Sequence, residues 1–233
     1  MKPKLKDLFC GAGGASMGYY RAGFQPYGID NQPQPHYPFP FLQMDALEAM
    51  DRLLLYEGLE FSNGEVLHLS DFSAYHASPP CQAMTKKNPN WGRKRTYWYN
   101  HEDLIFQTRA RLMATVQPYV IENVNGSKLN GSLMLCGTMF GLKIIKHRFF
   151  EMNFDVPLFA PRVCNHSGIY NPWQGKGRSA DKMREAMGID WMPISGGASR
   201  KAGYTGDLFN AIPPVYTEYI GKYLMQAIME LGL

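Results

Sequence analysis

Leu5-Lys6-Asp7-Leu8-Phe9-Cys10-Gly11-Ala12-Gly13-Gly14 is the stretch whose reading decides the fold. Leu5 to Phe9 is a short apolar run with the length of a strand. The glycines after it let the backbone turn sharply and approach a ligand, and Ala15 to Ala22 continues as a helix. Strand, glycine turn and helix open a nucleotide-binding α/β unit. The turn is moderately specific by itself, because Ser16 stands where the last glycine of G-x-G-x-x-G belongs. A tight turn serving only packing is an equal reading of those residues. Asp30 favours a ligand: it ends a second strand, Pro26 to Ile29, where an acid in such folds hydrogen-bonds a ribose hydroxyl pair. Asp45, after the apolar Phe41-Leu42, is a candidate partner for an adenine amino group.

Strand and helix patterns continue to alternate along the chain. Asn31 to Pro40 is proline-rich and irregular, Asp45 to Tyr56 is helical, and Ser62-Asn63-Gly64 marks a turn in a small hairpin or loop. Phe72 to Ala77 is a buried strand, Glu102 to Val116 a helix, Tyr119 to Glu122 a strand, and Lys143 to Asn153 an extended segment. Pro, Gly, Asn and Trp break the pattern from Val156 to Ser179, a short helix covers Ala180 to Met187, and an apolar helix spans Ile212 to Leu233. The expected fold is α/β: a Rossmann-like, mainly parallel sheet with helices on both faces. The expected units are 1–153, which carries the strand–helix alternation, 154–183, where the pattern breaks, and a C-terminal segment, 184–233, returning to the first.

The composition fits one enzyme domain. A chain of 233 residues with 45% hydrophobic content can bury a full core. No stretch reaches membrane-spanning length and the N-terminus lacks the apolar run of a signal peptide, so a cytoplasmic protein without membrane partners is expected, and a monomer is taken as its state. A net charge of +4 is too small to identify a nucleic-acid partner, which leaves that argument to charge distribution. Cys10, Cys81, Cys136 and Cys164 are scattered with no C-x-x-C pair, against both a disulfide scaffold and a four-cysteine zinc site. Cys164-Asn165-His166 could be half of a metal site, but one C-x-H without a second pair nearby is more often structural, so no metal is expected. The methionines Met44, Met50, Met183, Met187, Met225 and Met229 are expected to fill the core.

Cys81 sits on the stiff turn Ser78-Pro79-Pro80-Cys81-Gln82 at the carboxyl end of a strand, the edge where open α/β sheets place their sites. A thiol there is a candidate nucleophile, and Ile121-Glu122-Asn123-Val124 supplies a candidate acid at the end of the next strand. Asp7-Leu8-Phe9-Cys10-Gly11-Ala12-Gly13-Gly14, Pro79-Pro80-Cys81-Gln82, Glu122-Asn123-Val124 and Asn210-Ala211-Ile212-Pro213-Pro214 resemble, in this order, the successive motifs of the cytosine-5 DNA methyltransferases.

The resemblance implies S-adenosylmethionine as cofactor, held by Phe9, Gly11, Gly13, Asp30, Asn31, Asp45, Pro80, Asn210 and Ala211. The acceptor it implies is a cytosine flipped out of double-stranded DNA. Cys81 would add to cytosine C6, with Glu122 as acid toward N3 and Arg148 as electrostatic support. Arg148 matches the last arginine of the family's Gln-x-Arg-x-Arg stretch, while Lys146 replaces the first, a point charge in place of a planar fork. Phe209 stands where the family usually has glycine.

Between Gln82 and His101 no residue is acidic, while Lys86, Lys87, Arg93, Lys94 and Arg95 alternate with Trp91, Tyr97, Trp98 and Tyr99. Such a segment can grip phosphates and stack unpaired bases. In the family, a large recognition domain follows the Arg148 position; here residues 149–183 leave little room for one, and Phe154 to Arg178, with Lys176 and Arg178 as further DNA contacts, is its expected remnant. RNA as acceptor, or nucleic-acid binding without turnover, are the other readings.

Overall fold

The computed structural model describes residues 1–80, 103–156, 162–169, 180–192, 208 and 210–232. Nine strands lie within them: β1 (Lys4–Leu8), β2 (Gln25–Asp30), β3 (Phe41–Gln43), β4 (Leu59–Glu60), β5 (Val66–Leu67), β6 (Phe72–Ala77), β7 (Tyr119–Asn123), β8 (Leu133–Leu135) and β9 (Arg148–Met152). The helices are α1 (Gly14–Arg21), α2 (Ala46–Leu54), α3 (Ile105–Ala114), α4 (Ala180–Met187) and α5 (Pro214–Glu230). Seven strands form one sheet in the order β3-β2-β1-β6-β7-β9-β8. The first five in that order run parallel. β9 runs antiparallel to both β7 and β8, so one reversed strand separates the last two parallel ones. β4 and β5 pair as a separate hairpin around Ser62-Asn63-Gly64.

Alternation along the strands divides the core between the two faces. Leu5, Ala74, Val120 and Phe150 pack with Tyr19 of α1 and with Tyr216, Ile220 and Leu224 of α5. Leu8, Ile29, Tyr75 and Ile121 pack on the other face with Ala49, Met50 and Leu53 of α2 and Leu112 of α3. A third cluster joins Met183 and Met187 of α4 to Ala12 in the glycine turn and to Ala211. Of the methionines expected in the core, Met50, Met183 and Met187 are buried, whereas Met229 is mostly exposed because its position near the end of α5 faces outward.

Helices α1 and α5 meet almost backbone to backbone. A Cβ at Gly18 would lie 2.1 Å from the Pro214 carbonyl oxygen, closer than any real side chain comes. Thr217 Oγ1 donates a 2.8 Å hydrogen bond to the Ala15 carbonyl across the same contact.

The parallel elements fall within a few residues of their sequence expectations. Two short strands, Phe41–Gln43 and Leu133–Leu135, carry too little pattern to be read from sequence, and only Arg148–Met152 of the expected extended segment joins the sheet. No helix among the described residues is long and apolar enough to cross a membrane.

Candidate active site

β1, β2, β6 and β7 deliver the glycine turn, Asp30, Ser78 to Pro80, and Glu122-Asn123 to one carboxyl edge of the sheet. The first turn is anchored on both sides: Cys10 N–H donates to the Ile29 carbonyl and Ser78 N–H donates to the Leu8 carbonyl, each at 3.1 Å. Phe9 lies at a φ of 58°, a left-handed conformation that costs an ordinary residue about 1–2 kcal/mol. Gly11 and Gly13 also have positive φ, at no such cost. Asp30 accepts Gly11 N–H on one carboxylate oxygen at 3.0 Å and Gln32 N–H on the other at 2.9 Å, which ties the ends of β1 and β2 together. Each oxygen keeps acceptor capacity for a hydroxyl.

Ser16 has its own work in place of the missing glycine. Its hydroxyl donates to Asp7 and lies 2.6 Å from the Tyr37 hydroxyl, so the irregular proline-rich segment is pinned beneath the turn by a buried tyrosine. Burial pushes the Asp7 carboxyl up to about 7. Trp191 Nε1 donates to the Ala12 carbonyl at 2.9 Å, bringing the segment after α4 onto the same turn. Tyr37 and Trp191 were not legible as site residues, since neither falls in a motif. Asp45 is the N-cap of α2, accepting Leu47 N–H and Glu48 N–H, both on Oδ1. Asn31 and Pro80 are exposed at this edge, as is Asn210, while Ala211 is buried against the start of α1.

Glu122 is buried at the end of β7. Arg148 Nε, on the neighbouring β9, lies 2.9 Å from its Oε1, an ion-pair distance without hydrogen-bond alignment. Burial raises the Glu122 carboxyl above the ordinary range, against the opposing pull of Arg148, a hydrogen bond from Ser78, and Lys146. Burial drives Lys146 well down. Asn123 Nδ2 donates at 2.9 Å to the Pro79 carbonyl, so the end of β7 holds the proline turn that precedes Cys81 in the chain.

Behind the acid runs a buried polar file. Tyr19 hydroxyl and His76 Nδ1 lie 3.0 Å apart, as do His76 Nε2 and the Ser78 hydroxyl, and Ser78 reaches Glu122. Burial pushes His76 down to about 3, so the ring is neutral. The file is consistent if Tyr19 donates to Nδ1, Nε2–H donates to Ser78, and Ser78 donates to Glu122. His76 and Ser78 were missed because their partners lie on other elements.

Cys81 and the expected DNA contacts Lys86, Lys87, Arg93, Lys94, Arg95, Lys176 and Arg178 lie outside the described residues. The expectation of no metal rested on Cys164-x-His166 lacking a second pair. The structure supplies one in Cys136 and His147, whose ligand atoms lie within 4.8 Å of those of Cys164 and His166.

No protein-family model and no curated protein matches this sequence. Solved structures do. The S. pombe Dnmt2 methyltransferase superposes with a TM-score of 0.58 at 13% identity, covering 97% of this chain and 99% of that one. The fold is that of a Rossmann-like S-adenosylmethionine-dependent methyltransferase. Weaker likenesses reach the Entamoeba histolytica methyltransferase EhMeth (TM-score 0.49, 11% identity, 98% of this chain and 99% of that one) and a methyltransferase encoded within an E. coli prophage (0.43, 15%, 70% and 52%). The chain spans about half the length of that last protein. The glycine turn after β1, Asp30 at the end of β2 and Glu122 on β7 share the carboxyl edge of the sheet, with β6 between β1 and β7.

Proposed function

We propose that the protein transfers a methyl group from S-adenosylmethionine to C5 of a cytosine in DNA through a covalent cysteine adduct. The observation that carries the reading is the buried Glu122–Arg148 pair, with Asn123 beside it holding the Pro79 carbonyl just ahead of Cys81. The reading places the cofactor over the glycine turn next to Asp30, where a Cβ at Gly11 would meet no atom of the described residues within 4 Å. Gly11, Gly13 and Asp30 would hold the adenosine part there, with Asn210 and Ala211 bordering it. When bound, S-adenosylmethionine supplies an electrophilic methyl group.

The Cys81 thiolate forms a bond to cytosine C6, making C5 nucleophilic. Glu122, with its carboxyl raised by burial, donates toward N3 as negative charge develops on the ring. Arg148, 2.9 Å away, holds that carboxyl in place. With the methyl group on C5 and S-adenosylhomocysteine as the leaving group, loss of the C5 proton to solvent and breakage of the C6–sulfur bond would then release Cys81. The ring must leave the base stack for this chemistry, and Lys86, Lys87, Arg93, Lys94, Arg95, Lys176 and Arg178 are the proposed grips on the phosphates around it.

Incubation with methyl-labelled cofactor and mixed-sequence duplex DNA, with structured RNA in parallel, should place label on C5 of cytosine in DNA. Cys81→Ala should abolish transfer and leave cofactor binding intact. Label on RNA alone, on another atom, or undiminished transfer by the Cys81 variant would overturn the reading.

A further inference from the structure

Cys136, His147, Cys164 and His166 come from three separate places in the sheet's reversed edge. Cys136 directly follows β8, His147 directly precedes β9, and Cys164 and His166 belong to the segment beyond β9. Their ligand atoms nevertheless crowd one point. Cys136 Sγ lies 3.6 Å from His166 Nε2, Cys164 Sγ 3.5 Å from His147 Nε2, and the two Nε2 atoms 3.2 Å from each other. Zinc–sulfur and zinc–nitrogen bonds of about 2.3 and 2.0–2.1 Å in a tetrahedron give sulfur–nitrogen edges of about 3.6 Å and a nitrogen–nitrogen edge of about 3.4 Å. Cys164 Sγ and His166 Nε2, at 2.7 Å, sit closer than such an edge, and a modest rotation of exposed His166 would open that gap.

We propose that these four side chains bind one zinc ion as a closed tetrahedral Cys2His2 site that fastens the segment after β9 to the sheet. Two thiolates and two imidazoles suit zinc in both ligand type and geometry. Thr138 supports the set from behind, its hydroxyl lying 3.4 Å from Cys136 Sγ and 3.5 Å from Cys164 Sγ while accepting Asn165 N–H at 3.3 Å. A hydroxyl between two sulfurs can donate to either thiolate.

The segment itself needs such a fastening. None of residues 162–169 is buried, and Val163 is 90% exposed, so apolar packing holds little of it. A metal with four protein ligands can replace a missing core. No protein ligand position is left open for substrate, which makes the site structural. Its place is nonetheless consequential: Arg148, which pairs with Glu122, follows His147 in the chain and donates to the His147 carbonyl at 2.9 Å. The site therefore fixes the start of the strand that carries the arginine.

The test uses full-length protein, tag removed, purified without chelators from zinc-supplemented cells. Elemental analysis should give about one zinc per chain. Exchange with cobalt(II) should give the d–d bands of a tetrahedral site and a sulfur-to-cobalt charge-transfer band. Cys164→Ser and His166→Ala should each lose at least about nine-tenths of the metal, whereas Cys10→Ser, outside the cluster, should keep it. If the cysteine variant fails to fold, the wild-type protein still decides. Stripping its zinc with a chelator should speed hydrogen exchange across 162–169 by roughly tenfold or more, and adding zinc back should restore protection. Zinc well below one per chain with both thiols free, a Cys136–Cys164 disulfide in place of metal, cobalt spectra without the thiolate band, or metal retained by His166→Ala would overturn the proposal.

Discussion

The two ends of the sheet are built by different means. At the end of β2 and the start of α2, carboxylates find partners close along the chain: Asp45 caps its own helix and Asp30 accepts from Gln32, although Asp30 also reaches back to Gly11 and Ser16 meets Tyr37 across 21 positions. Around β7, β8 and β9 the partners are distant. Glu151 takes both Nε and one terminal nitrogen of Arg109, 42 positions away, and also accepts Asn130 N–H, while Cys136 and His166 meet across 30 positions. A region held by local signals can lose one and keep its shape. A region held by converging distant groups should respond to single substitutions as a unit.

The largest expected effect is catalytic. Glu122→Gln keeps the shape but removes the proton donor and leaves Arg148 facing a neutral amide, so methyl transfer should fall by about 10²–10⁴-fold, with cofactor affinity little changed. Single-turnover kinetics with labelled cofactor measure this directly. A loss below tenfold would mean that the buried pair serves packing alone.

Glu151→Ala comes next. The carboxylate is nearly fully buried and its loss strands the Arg109 guanidinium, so unfolding free energy should drop by about 3–5 kcal/mol. Against it, Gly18→Ala tests the other end of the sheet through the α1–α5 contact, where overpacking costs about 1–3 kcal/mol or more. Urea unfolding of both variants breaks the comparison if the glycine change proves the more damaging.

The response to acid sharpens it further, because two buried groups on adjacent strands oppose each other. Asp7 holds its proton up to about pH 7 when folded against 3.8 unfolded, so it favours the folded state increasingly as pH falls through that window. His76 releases its proton at about 3 when folded against 6.5 unfolded, so its contribution is present above 6.5 and is lost as pH falls toward 3. Between pH 4 and 6.5 the two slopes cancel. In Asp7→Asn only the histidine slope remains, and stability relative to wild type should fall with acid by up to about 1.4 kcal/mol per pH unit. Chemical denaturation at pH 4.5 and 6.5 shows this; parallel profiles for variant and wild type would rule it out.

These contrasts also explain what the sequence made legible. Leu5 to Phe9, the glycine turn and Phe72 to Ala77 carry their signals in consecutive residues, and the structure places them almost where periodicity does. Asp30 and Glu122 stand at the strand ends where the sequence placed them, because the apolar runs before them mark where β2 and β7 stop. Tyr37, Trp191 and the Tyr19–His76–Ser78 file were not, since each acts through a partner on another element. Cys164-x-His166 was visible as half a motif. Its other half is split between the end of β8 and the start of β9, and antiparallel pairing alone brings those together.

Asp45 offers the smallest and most discriminating test, because two readings of it coexist. As the N-cap of α2 it accepts two backbone N–H groups on Oδ1, a role that serine performs about equally well. As a cofactor contact it would use Oδ2 to accept from an adenine amino group, which the shorter serine cannot reach. Asp45→Ser should therefore change stability by no more than a few tenths of a kcal/mol, while Asp45→Ala costs about 1 kcal/mol. If Asp45 also contacts the adenine, the serine variant should bind S-adenosylmethionine roughly three- to tenfold more weakly, the weight of one hydrogen bond of about 0.5–1.5 kcal/mol. Calorimetry on the two variants separates the roles: equal affinity in wild type and Asp45→Ser would leave Asp45 a helix cap only.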